Sequence, residues 1–96
     1  MTFGLAIEAL KLGKKVARTG WNGKGIFVFM QVSSEISEEV VPRMQSLPQS
    51  VKDEFVRRGG GISYSNQMAI VKPDNSINGW APSVSDVLAE DWIIVE

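Results

Sequence analysis

Ninety-six residues with ten basic and eleven acidic side chains, a net charge of −1 and neither cysteine nor histidine suit a single core, in a chain that buries only about 60–70% of the surface it exposes when unfolded. The missing cysteines exclude a disulfide framework and a thiolate metal site; the missing histidines remove the commonest general base, the commonest metal ligand and every ordinary serine or cysteine triad. The near-neutral charge argues against long duplex nucleic acid as a partner, and with no signal-peptide pattern and no apolar run near the ~18 residues of a membrane span, a soluble, intracellular, single-domain protein over residues 1–96 is expected. A chain this small leans on oligomerisation for stability.

Thr2 is placed to cap an amphipathic helix over residues 3–12, in which Phe3, Ala6, Ile7 and Leu10 repeat at helical spacing and Gly13 falls where a left-handed residue ends the helix. A short strand at 15–19 follows. Residues 18–25, Arg-Thr-Gly-Trp-Asn-Gly-Lys-Gly, then lead into the most continuous apolar run of the chain. The Asn22-Gly23 pair between two extended segments predicts a tight primed hairpin turn, and residues 26–32, apolar on both faces, predict a central strand. Residues 33–46 read as an acidic, serine-containing connection with a helical turn near Glu38. Pro48 opens a second helix at 49–58, with Leu47, Val51 and Phe55 on one face and with Asp53–Arg57 and Glu54–Arg58 spaced as ion pairs. Gly59-Gly60-Gly61 stops it. Strands at 62–64 and 67–72, a turn at 73–76 and a strand at 77–81 come next; Ser83, three residues before Asp86, forms a capping-box pattern for a short helix to Ala89, and residues 92–95 close the chain as an apolar strand. The expected fold is α+β, with a mostly antiparallel sheet assembled from hairpins.

Charge is unevenly distributed along this plan. Residues 1–30 carry five basic side chains against Glu8 alone, whereas residues 73–96 carry Asp74, Asp86, Glu90, Asp91 and Glu96 with no lysine or arginine. The two ends can attract each other, within one subunit or between subunits.

Three tryptophans stand out. Trp92, heading Ile93-Ile94-Val95, reads as core. Trp21 and Trp80 sit beside turn residues and polar neighbours, where a ring serves a ligand, a subunit contact or the core; a π face with a cation nearby suits a purine. Arg18 and Lys24 flank Trp21 and are better phosphate candidates than Arg57-Arg58-Gly59-Gly60-Gly61, which ends a helix, where the dipole is negative. A strand-face salt bridge explains Arg18 nearly as well. For catalysis the inventory is thin: Asp86, Glu90 and Asp91 as an acid and base pair, or Ser63 or Tyr64 as a nucleophile without an identified base.

In combination, Phe3-Gly4, Ala6, Ala9-Leu10, Lys11 and Gly13, then Lys15-Val16-Ala17-Arg18 and Gly20-Trp21-Asn22-Gly23, and finally Trp80, Ser83, Asp86, Leu88-Ala89 and Asp91-Trp92 resemble the small phage proteins of the Thoeris anti-defence protein two family. The resemblance spans both ends of the chain and leaves residues 33–62 undiagnosed. It implies a sponge and not an enzyme: a protein without a cofactor that binds a cyclic ADP-ribose isomer, the messenger of the bacterial Thoeris system, and holds it intact in the host bacterial cytoplasm. It further implies a homotetramer with nucleotide pockets between subunits, and cyclic dinucleotides as further ligands in some members. By matching position it implies Trp21 and Phe27 against adenine or ribose, Asn22 as a hydrogen-bond partner, Arg18 and Lys24 on the diphosphate, and Trp80, Ser83 and Asp86 completing the pocket from a neighbouring subunit. Rival readings are a protein interaction module using Trp21 and Trp80, and a single-stranded nucleic-acid binder, which would need a strongly salt-dependent affinity.

Overall fold

The computed structural model describes residues 1–21 and 25–96, and the Asn22-Gly23 turn and Lys24 lie outside the described residues. These fold as two compact units, one of Met1–Gln31 with Asn66–Glu96 and one of Val32–Ser65. Together they hold three α-helices and seven strands, an α+β chain with antiparallel pairing throughout the described strands.

The first unit begins with α1, Phe3–Lys11. The Thr2 hydroxyl accepts from the Leu5 N–H at 3.3 Å. At the other end Gly13, at φ +84°, lets the Gly13 N–H reach the Leu10 carbonyl and the Lys14 N–H reach the Ala9 carbonyl, the paired closure that satisfies the last free carbonyls of a helix. α1 buries Ala6, Ala9 and Leu10 against a five-stranded sheet. The strands are β1 (Lys15–Arg18), β2 (Phe27–Gln31), β5 (Gln67–Val71), β6 (Ile77–Gly79) and β7 (Trp92–Val95), in the order β6-β5-β2-β1-β7. The apolar run at 26–32 is the middle strand, as its two apolar faces require.

Register sorts the side chains. Val16 pairs with Val28 and with Ile94, and Val28 pairs with Ile70. Because paired residues share a face and neighbours along a strand alternate, Val16, Arg18, Val28, Met30, Met68, Ile70 and Trp92 look toward α1. Ala17, Phe27, Phe29, Ala69, Val71 and Ile93 look the other way. Trp92, Val16, Val28 and Leu10 are almost wholly enclosed and form the core.

In the β1–β2 pair Val16 faces Val28. β1 ends at Arg18 and β2 starts at Phe27, and the turn expected at Asn22-Gly23 falls in the interval outside the described residues. Past Arg18 the chain stays on the β7 side, the Thr19 N–H bonding the Asp91 carbonyl in register with the β1–β7 pairs, and the Trp21 N–H closes on the Arg18 carbonyl.

The second unit holds β3 (Ser34–Ile36), a 3-10 turn at Val41–Arg43, α2 (Gln49–Arg58) and β4 (Ile62–Tyr64). β3 and β4 form their own two-stranded sheet. β3 was not expected: three residues are too few for alternation to register, and its partner lies far along the chain. α2 has the expected limits and packs on the 3-10 turn, where Val41 is buried. The Asp53–Arg57 pair does not form. Glu54 takes both Arg57 and Arg58, while Asp53 accepts from the Gln49 side chain at 2.9 Å. Gly59, Gly60 and Gly61 all have positive φ. At Gly61 the need is absolute, since a Cβ would stand 2.3 Å from the Ile36 carbonyl oxygen.

Candidate functional site

The first unit gathers its aromatic rings on the α1 side of the sheet. Trp92 forms the floor, its Nε1–H donating to the Asp86 carbonyl at 2.9 Å. Trp21 meets it edge-on at 5.5 Å between ring centroids and Trp80 at 5.9 Å; Trp21 and Trp80 stand 6.5 Å apart at 72°, and Phe3 tilts against both Trp80 and Trp92. These are the edge-to-face arrangements that aromatic quadrupoles favour. Trp92 is buried as expected. Trp21 and Trp80 are each half-buried, so each packs on the core and keeps part of its indole open to solvent.

Beside the rings lies a charge cluster. Arg18 donates through Nη1 to Asp86 and through Nε to Asp91, both at 3.0 Å. The other Asp91 oxygen accepts from the Thr19 hydroxyl at 3.2 Å and the Gly20 N–H at 3.3 Å. Asp86 is in turn fixed by the capping box that opens α3, Val84–Leu88: the Ser83 hydroxyl accepts from the Asp86 N–H, and the Asp86 carboxylate accepts from the Ser83 N–H.

Ionisation follows from these contacts. Arg18, through its bonds and attraction to the two carboxylates, holds its proton more tightly than a free guanidinium. Its hydrogen bond is the chief reason Asp91 lies below the usual carboxylate range, with the Thr19 and Gly20 donors adding to it. For Asp86 burial is the largest influence and pushes upward, yet the Ser83 donors and Arg18 together outweigh it and the net shift is down. Both carboxylates are therefore ionised near neutrality, which makes them poor general acids.

The fold brings together Arg18, Trp21, Trp80, Ser83 and Asp86 in one protomer. Phe27 does not join them: it lies on the opposite face of the sheet, 6.4 Å from Phe29 and under the Lys15 ammonium. Asn22 and Lys24 fall outside the described residues. In the second unit the glycine turn that followed Arg57-Arg58 is engaged by the chain's own carboxylates, Glu54 on the two arginines and Glu38 on the Gly60 N–H at 2.6 Å. Asp91 is the residue that sequence reasoning undervalued. Its signal was present in the Arg18-Thr19-Gly20 donors, but only the β1–β7 pairing, Arg18 opposite Trp92, puts the carboxylate beside them.

The family model described as a Thoeris anti-defense 2-like domain matches residues 1–95. The chain belongs to this family. A curated relative, Thoeris anti-defense 2 of Bacillus phage SP01, is 38% identical over 95 residues, which span 99% of this chain and 94% of the relative. This anti-defence assignment bears out the resemblance carried by the N-terminal block and the closing Asp-Trp block. Among the described residues no helix is long and apolar enough to cross a membrane.

Proposed function

We propose that the protein is a sponge for a Thoeris messenger: it binds a cyclic ADP-ribose isomer in the host bacterial cytoplasm, holds it without breaking a bond, and so keeps it from its effector. The observation that carries this reading is the pair of half-buried indoles, Trp21 and Trp80, braced on the buried Trp92. A ring braced on the core and left partly open to solvent can serve as a stacking platform, and base stacking contributes about 1–3 kcal/mol. In this reading Trp21 and Trp80 take adenine or ribose, Asn22 adds a hydrogen bond, and Lys24 faces the diphosphate. Ser83 and Asp86 border the pocket. Arg18 serves the diphosphate only with whatever donor capacity its two carboxylate partners leave. Phe27, on the other face, reaches ligand only if a second subunit supplies it, which fits a homotetramer with pockets between subunits. The exposed Val84, Val87 and Leu88 of α3 support such assembly, and cyclic dinucleotides are the further ligand class.

Retention without turnover is supported by the absence of histidine and cysteine and by two carboxylates that carry no proton to donate near neutrality. The test is to incubate the purified protein with cyclic ADP-ribose isomers, remove free ligand, denature by heat and identify what is released by mass spectrometry. The intact molecule is expected. A linear product would mean an enzyme, and no release from any isomer would end the proposal. Trp21→Ala is expected to abolish retention and keep a cooperative melt; native mass spectrometry reads the subunit count with and without ligand.

A further inference from the structure

We infer that Asp91 is a positioning residue that presents Trp21, and that Arg18 belongs to the same latch. The relevance to ligand rests on the sponge reading; the latch itself does not.

Four contacts carry it. One residue on the edge of β7 bonds three consecutive residues immediately before Trp21: its Oδ1 takes the Arg18 Nε at 3.0 Å, its Oδ2 takes the Thr19 hydroxyl and the Gly20 N–H, and its carbonyl takes the Thr19 N–H at 3.1 Å. The Trp21 N–H then closes on the Arg18 carbonyl at 3.2 Å. Trp21 leaves this turn with its backbone direction already set, and its ring meets Trp80 and Trp92. The latch is anchored because Trp92, next to Asp91, is enclosed in the core.

Gly20 does not supply this constraint. Its φ is not positive, and a Cβ there would meet the Asp91 carboxylate at 3.5 Å, an ordinary contact. The loop is therefore held by the carboxylate and not by a glycine-only conformation, and alanine at position 20 is compatible with it. Arg18 completes the latch by spanning Asp91 and Asp86, which ties the loop to the capped start of α3. One guanidinium between two carboxylates leaves the cluster with a net negative charge, ill suited as the main contact of a diphosphate. The anion then calls on cations outside the cluster, and ordering an aromatic in advance lowers the entropy lost on binding.

The experiment uses the full chain and the three indole N–H signals of a 1H–15N spectrum, with that of Trp21 identified by its loss in Trp21→Phe. Asp91→Ala is expected to move the Trp21 signal toward that of free indole while the Trp92 signal, fixed by the Asp86 carbonyl, stays in place, and to weaken retention of cyclic ADP-ribose isomers at least tenfold. Gly20→Ala is expected to change neither. Asp91→Asn, which keeps the shape but loses the charge and one acceptor, gives the same readout should the alanine variant not fold. An unmoved Trp21 signal in Asp91→Asn and Asp91→Ala overturns the latch. A moved signal with full retention overturns its role in binding. Should the unmodified protein retain none of the isomers, the sponge reading fails while the indole signals still decide the latch.

Discussion

Trp92→Phe removes three ring atoms from a fully enclosed position and deletes the only N–H that reaches the Asp86 carbonyl among the described residues. A void of roughly 40 Å³ at about 24 cal/mol per Å³ costs about 1 kcal/mol. The lost burial of those atoms costs about another 1 kcal/mol, and the partly buried carbonyl left without its donor about 1 kcal/mol more. The sum, about 3 kcal/mol, corresponds to a fall of roughly 12–24 °C in Tm for a domain of this size. Urea titration followed by circular dichroism measures it, with thermal melting as a check. A loss below about 1 kcal/mol would mean that the site relaxes around the smaller ring, and that Trp92 is not the floor on which the other two indoles are braced. The loss should also exceed that of Trp21→Phe, since Trp21 is only half-buried.

Two further outcomes are expected. Asp86 and Asp91 both have lower pKa values in the folded chain than the 3.8 of a free aspartate, so the unfolded state takes up protons first on acidification. Their contribution is complete above the free value and is lost as the pH falls through the folded pKa values. Tm should therefore hold steady from pH 7 to about 5 and decline below about 4, and the decline should be shallower in Asp91→Asn; an identical acid limb would remove Asp91 from the account. Asp74, also lowered, chiefly by the Ser76 hydroxyl, contributes in the same direction in both proteins and cancels in the comparison. In the second unit Gly60→Ala meets only the left-handed backbone and should cost about 1 kcal/mol. Gly61→Ala adds a collision with the Ile36 carbonyl, and hydrogen exchange at β3 and β4 should rise sharply in that variant alone.

The parts of the fold that can be read from sequence are those whose determinants are local. α1 carries its cap, its apolar stripe and its terminating glycine within thirteen residues; α2 and α3 are similarly self-described, the last by the Ser83–Asp86 box. β2 was readable as central because burial on both faces leaves no polar alternation. β3 was not, because a three-residue strand exists only through its partner. At the site, aromatic and charged residue types were visible in the chain, but not their partners. Arg18 could be read as a phosphate contact or as a strand-face ion pair until two aspartates from the other end of the sequence closed on it, and Phe27 looked adjacent to Trp21 until alternation sent it to the far face.

The pairing of β2 with β5 ends at Gln31 opposite Gln67, whose side-chain amides bond at 3.1 Å. The chain thus leaves the sheet and re-enters it at neighbouring points, with Val32–Ser65 as the excursion between. Loop-closure entropy grows only with the logarithm of length, so trading such an excursion for a few residues alters stability by roughly 1–2 kcal/mol. Chain-closure entropy alone therefore sets little limit on the length of this excursion. It is where an engineered cargo could be spliced.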